Sequence, residues 1–281
     1  MKERVELHQV REFGDVINDT ILFFRQNFVP LVKAYLVICG FFLVAGTAVE
    51  IVSKLRDLEY DEATTPFNTS YWLTLLFSLV NSAVVMVTVY SYMALYREKD
   101  KEAPTVTEVW GYFRYFFFRV FLSNVVLDIC ILLGFVMCII PGIYLLPALA
   151  LVIPIMVMEN TSLSYAFTYS FKLIKENWWF VLGIFLLIGL IYLAAVVVVV
   201  LPALIITGGA EWISGMKLNS TEIIASAIAT NLARVFYIVP CITAALIYFS
   251  LSDQKHGTSL INRIHKFGKS NPGADQSSEQ Y

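Results

Sequence analysis

Long apolar runs alternate with short charged stretches along this chain. Runs at 29–51, 71–96, 120–140, 143–158, 178–201 and 235–251 have about the length needed for a helix to cross roughly 30 Å of hydrocarbon. The fourth is the shortest, bounded by Pro141-Gly142 and Glu159-Asn160. A two-residue break leaves room only for an antiparallel hairpin, so the third and fourth spans are expected to be neighbours. Pro147 and Pro154 predict kinks within the fourth, which bundles tolerate when neighbours satisfy the freed carbonyls. The expected fold is all-α, a polytopic membrane helical bundle of about six transmembrane helices. Segment 1–28 precedes the membrane domain 29–251, and a tail 252–281 follows it. The tail carries a short amphipathic stretch (Leu260, Ile261, Ile264, Phe267) before a polar end expected to be disordered.

A second periodicity sits between the runs. Phe13, Val16, Ile17, Thr20, Ile21, Phe24 and Phe28 recur at helical spacing, and Leu163, Ala166, Phe167, Ser170, Phe171, Ile174 and Trp178 repeat the pattern 150 residues later. Both copies end alike, in Arg25-Gln26-Asn27-Phe28 and Lys175-Glu176-Asn177-Trp178. A weaker middle copy, 105–118, ends at Arg119 without the asparagine. Each copy reads as an amphipathic helix in the cytoplasmic interface that turns into the bilayer. The basic residue would hold the elbow at headgroup level, the aromatic would mark the hydrocarbon edge, and the asparagine would cap the new helix.

Charge then sets orientation. Lys and Arg crowd one set of connecting segments (Lys2, Arg4, Arg11, Arg25; Arg97, Lys99, Lys101, Arg114, Arg119; Lys172, Lys175; Lys255, Arg263, Lys266, Lys269), against Lys54, Arg56 and Lys217 on the other. The positive-inside rule then places both termini in the cytoplasm. Composition agrees: 58% of the 281 residues are hydrophobic and 15% charged, against about 45–50% and about 25% in a soluble domain. A net charge of −2 points away from a nucleic-acid partner. Cys39, Cys130, Cys138 and Cys241 lie in apolar runs without metal-clip spacing, and His8, His256 and His265 are terminal. No cofactor is expected.

Pro141-Gly142-Ile143-Tyr144-Leu145, then Glu159, Ser162, Ala166, Ser170, Lys175, Asn177 and Trp178, and finally Ala245-Leu246-Ile247-Tyr248, form a pattern covering most of the chain. It resembles the membrane domain attached to some glycerophosphodiester phosphodiesterases and the YciC-type inner-membrane proteins. The resemblance implies a bacterial plasma (inner) membrane location and this architecture. It does not carry the hydrolase activity, because the fused barrel needs about 250 residues of its own.

The candidate intramembrane polar site is Asp128, Asn124 and Arg234. Ionisable side chains at membrane depth are functional candidates. Asp128 lies nine residues past Arg119, about 13 Å into the bilayer, with Asn124 one turn earlier on its face. Arg234 lies about 25 Å from the cytoplasmic face, a mismatch in depth that disfavours direct pairing with Asp128. Lys33 and Glu50, near the ends of the first span, are expected to reach water. Asn81, Ser82, Thr230 and Asn231 read as packing contacts, and Thr207-Gly208-Gly209 as an outer loop. With no zincin pair, phosphate loop or nucleophile elbow, the chain is not expected to be an enzyme. The first expectation is a scaffold or envelope-organising protein whose interfacial helices bind membrane lipids or a protein partner at the cytoplasmic face. The alternative is a small transporter or lipid-handling protein with a path near Asp128.

Overall fold

A computed structural model describes residues 4–59, 68–137, 139–214 and 220–257, and no strand occurs among them. The order is α1 (Phe13–Gln26), α2 (Phe28–Glu59), α3 (Thr69–Glu98), α4 (Val106–Met137), α5 (Ile139–Ala150), α6 (Val152–Met158), α7 (Leu163–Ile174), α8 (Trp178–Ser214), α9 (Ser220–Ala233), a 3₁₀ turn (Arg234–Tyr237) and α10 (Ile238–His256). Six stretches are long and apolar enough to span a bilayer: Phe28–Arg56, Thr69–Glu98, Val106–Met137, Ile139–Met158, Trp178–Ala203 and Ile223–His256. The chain is an all-α multi-pass membrane bundle.

Proline explains where several elements begin. Pro30, Pro141, Pro154 and Pro240 each occupy the third position of a helix, in α2, α5, α6 and α10. A first-turn amide has no intrahelical acceptor, so proline there loses no hydrogen bond, while its ring rejects helix continuing from upstream. Pro154 thus divides the fourth span at Leu151, and Pro240 divides the sixth at the 3₁₀ turn. Residues 112–133 contain neither proline nor glycine, and α4 is continuous across them.

Three expectations are corrected. There is no middle elbow: Arg119 lies within α4, where its guanidinium donates to Asn160 Oδ1 (3.0 Å) and to the Thr161 carbonyl. Pro141 and Gly142, expected to form the break between the third and fourth spans, lie instead in the first turns of α5. Residues 207–209 continue the α8 helix instead of forming a loop.

α10 is the central rod, touching α1, α3, α6, α7 and α8. Every residue from Cys241 to Leu251 is buried. α8 is its opposite, with Leu186, Leu190, Leu193 and Val198 all exposed, the surface that lipid tails would cover. The N-terminal segment closes over the C-terminal end of α10. His8 Nδ1 lies 3.1 Å from Asp253 Oδ1, and the Arg11 amide donates to Ser250 Oγ (2.9 Å). The Arg11 side chain, 4% exposed, donates to Asp19 Oδ2 and to the carbonyls of Glu6, Leu7 and Gln9. This end is called basal below, and the opposite end distal. Residues 258–281 of the tail, with the amphipathic stretch 260–267 and His265, and also Cys138 and Lys217, lie outside the described residues.

Candidate functional site

Helix breaks fall at both asparagine junctions, between α1 and α2 and between α7 and α8, where the asparagines do other work than capping. Asn27, 4% exposed, donates Nδ2 to the Phe23 carbonyl (3.1 Å) and accepts the Tyr92 hydroxyl on Oδ1 (3.0 Å). Asn177 donates Nδ2 to Gln254 Oε1 (3.1 Å). Each ties its elbow sideways, to α3 and α10 respectively, so the cap expectation is corrected. Arg25, Lys175 and Phe28 are exposed. Trp178 is not a free belt residue: its indole N–H donates to the Tyr144 carbonyl (3.1 Å) and its ring stacks on Tyr144. α1 lies against α10 and α8, with Val16, Thr20 and Phe23 fully buried and Thr20 Oγ1 3.2 Å from Thr243 Oγ1.

The polar candidates converge further from the basal end. α2, α3, α4, α8, α9 and the 3₁₀ turn surround a cavity of about 470 Å³. Its wall includes Leu43, Asn81, Ser82, Val85, Met86, Asn124, Asp128, Tyr192, Thr230, Arg234 and Tyr237. Leu43 is fifteen residues past Phe28, which puts the cavity about 22 Å along α2, within the bilayer rather than at its edge. The Pro240 break delivers Arg234 and Tyr237 to it: a 3₁₀ turn interrupts an otherwise spanning helix, and irregular backbone at membrane depth is tolerated where it lines a cavity.

Asn124 Nδ2 donates to Asp128 Oδ2 (3.0 Å) and to Ser82 Oγ (3.4 Å), so the i, i+4 pair on α4 reaches α3. Asp128 is an exposed residue of the cavity wall. Asn81 is 2% exposed; its Nδ2 donates to the Phe77 carbonyl (3.0 Å), and its Oδ1 has no partner. Gly46 of α2 makes room for it, since a Cβ there would stand 2.6 Å from Asn81 Nδ2. Arg234 and Asp128 share the cavity, yet among the described residues no ion pair or hydrogen bond joins them. Asn81, Ser82 and Thr230 thus belong to a polar cavity rather than to plain packing contacts.

Beside the cavity, Glu50 departs from expectation. It is 7% exposed, accepts from Asn231 Nδ2 (2.8 Å) and pairs with Lys54 (2.8 Å). α2 runs on to Glu59, eight residues past the predicted end of the span, so Glu50 is held inside the bundle instead of reaching water. Lys33 is exposed. Among the described residues, Cys39, Cys130 and Cys241 are free thiols and no cluster of ligand side chains could hold a metal ion.

A second cleft, of about 830 Å³, lies between α5 and the α7–α8 elbow, walled by Ile143, Tyr144, Trp178 and Leu182. Lys172 and Lys175 stand exposed at its side, and Lys255 Nζ reaches the Lys172 carbonyl (3.3 Å).

No protein-family model matches this chain, and neither a curated protein nor a solved structure matches it. Its own geometry therefore carries the functional argument: a multi-pass α-helical membrane protein with a polar cavity at a broken helix.

Proposed function

We propose that this protein is a non-enzymatic, small-molecule or lipid-handling membrane protein that takes its ligand into the cavity at Asn81, Asp128 and Arg234. The carrying observation is that a guanidinium with no bonded partner among the described residues and a carboxylate bonded only by Asn124 line one cavity at membrane depth. Maintaining such groups unpaired in a low-dielectric setting is costly, and binding sites are where that cost is usually met. Discontinuous spans with polar groups near the midplane are also how many transporters build their sites. In this reading the membrane is a bacterial plasma membrane and the basal end faces the cytoplasm, consistent with the Lys and Arg bias.

The test is ligand retention. Protein extracted in mild detergent is expected to carry a bound species detectable by native mass spectrometry. The cavity-filling variant Leu43→Trp, with its folding checked by a monodisperse elution profile, is expected to lose that species. Equal retention in wild type and Leu43→Trp would remove the reading. A thiol reagent that cannot cross membranes should leave Lys175→Cys unlabelled when added outside intact cells.

A second reading rests on the elbow cleft, where Lys172, Lys175 and Lys255 beside an aromatic and aliphatic wall suit an anionic phospholipid. Such binding would fit a scaffold or envelope-organising role and a protein partner on the cytoplasmic face. Lys172→Gln with Lys175→Gln should lower retention of phosphatidylglycerol severalfold and leave cavity binding unchanged. Undiminished phosphatidylglycerol retention would count against it.

A further inference from the structure

We infer that the cavity ligand is a zwitterion, with a protonated primary amine at the Asp128 side and a phosphate or carboxylate at Arg234; the inference rests on the cavity being the binding site. The charges on the wall give the class. Arg234 makes no ion pair or hydrogen bond among the described residues, although it lines a cavity inside the bundle. Guanidinium stays protonated at any physiological pH, so it calls for an anionic oxygen. Asp128 accepts one hydrogen bond, from Asn124 Nδ2, which leaves most of the acceptor capacity of a carboxylate unused. Asn81 Oδ1, on a side chain 2% exposed, accepts none.

Asn81 Oδ1 is enclosed by protein atoms, and the wall thus offers one donor-rich cation and one under-used carboxylate. Its formal charge sums to zero from Asp128 and Arg234. A ligand carrying only an anion would satisfy Arg234 and be repelled by Asp128. One carrying only a cation would do the reverse. A neutral apolar ligand would leave both charges unmatched in a setting where each costs several kcal/mol. A zwitterion matches both. The kind of amine follows from Asp128: a primary ammonium has N–H donors to give its unfilled carboxylate positions, whereas a quaternary ammonium has none. Leu43, Val85 and Met86 supply apolar wall for the rest of the molecule.

Two sources present this chemistry, the phosphoethanolamine head of a phospholipid and a free α-amino acid. Wild-type protein, delipidated in detergent, is titrated with phosphatidylethanolamine, phosphatidylcholine, phosphatidylglycerol, diacylglycerol and free leucine, with bound species read by native mass spectrometry. Phosphatidylethanolamine or leucine should bind at least about tenfold more tightly than the other three, the scale of one charge-assisted contact. Saturation by phosphatidylethanolamine assigns the lipid source, and saturation by leucine the free amino acid. Asp128→Asn should weaken the preferred ligand about tenfold and shift selectivity toward phosphatidylglycerol. Arg234→Gln should weaken it similarly without that shift. Ligands that fill the cavity with no preference for a primary amine, or unchanged selectivity in Asp128→Asn, would overturn the zwitterion while leaving the cavity in place. Binding that survives Leu43→Trp would instead show that the cavity is not the site. The wild-type series decides the class even if a variant fails to fold.

Discussion

The two halves of this bundle treat polar groups in opposite ways. At the basal end buried charge is mostly met by protein, although Asp253 Oδ2 and the Tyr96 hydroxyl have no partner among the described residues. Arg11 meets Asp19 and three carbonyls, His8 meets Asp253, Tyr248 donates to Glu159 (2.8 Å), and the Arg97 guanidinium lies over the Phe249 ring. α3 and α10 are almost wholly buried there. Nearer the distal end the helices part around a cavity, and Arg234 has no counter-charge bonded to it. A membrane protein gains little from burying apolar surface among lipid tails, so packing and interhelical hydrogen bonds must hold it together. The basal half uses its polar groups for that purpose. The cavity leaves its groups open to something else. The contrast separates side chains that hold the fold from side chains that await a ligand, and substitutions of similar chemistry should affect the two sets differently.

The largest effect is expected at Arg11. Arg11→Met removes a buried guanidinium from four bonding partners and leaves Asp19 and three carbonyls to find others, a loss of about 3 kcal/mol. It should appear as a clearly lowered unfolding midpoint in detergent and as rapid proteolysis of the N-terminal segment. An unaltered midpoint would mean that the basal end is not held by its polar contacts. Next comes Asn231→Leu, which leaves buried Glu50 with Lys54 alone; about 1–2 kcal/mol is expected by the same measurement.

The elbows give a finer comparison. Asn27 and Asn177 occupy equivalent places 150 residues apart, but Asn27 is buried against Tyr92 and Asn177 is only half-buried against Gln254. Asn27→Leu should therefore cost about 1 kcal/mol, and Asn177→Leu less than about 0.5 kcal/mol. Equal midpoints for the two variants would show that the repeat is energetically symmetric despite its unequal burial.

How much of this could be read from the sequence depended on the range of the signal. The spans were legible because apolar run length reports directly on bilayer thickness. The Asn124–Asp128 contact was legible because i, i+4 residues share a helix face. The division of the last span was not, although Pro240 marks it, because a proline within an apolar run does not lower average hydropathy. Proline marks one elbow and not the other: Pro30 stands just past the α1–α2 elbow, whereas the α7–α8 elbow has no proline between 154 and 202, and the 105–119 stretch, with its similar periodicity, stays helical. Tyr192, Tyr237, Asn81 and Thr230 come to the cavity from four separate elements, and no local pattern states their register. Glu50 was misplaced because apolar run length underestimates a helix that continues past the hydrocarbon.

The smallest expected change is the sharpest test of the contrast. Asn81→Leu replaces an amide of similar size whose Oδ1 has no partner and whose Nδ2 bonds a carbonyl of its own helix. Little favourable is lost, and an unsatisfied buried acceptor disappears, so stability should stay level or rise by less than about 1 kcal/mol. At the basal end the equivalent exchange, Asn27→Leu, breaks a bond between helices and should move the midpoint the other way. The two variants have the same chemistry and opposite expected signs. If Asn81→Leu proved as destabilising as Asn27→Leu, Asn81 would be part of the scaffold that shapes the cavity. If the midpoint held while ligand retention fell, the same amide would be costing the empty protein stability that only the bound ligand returns.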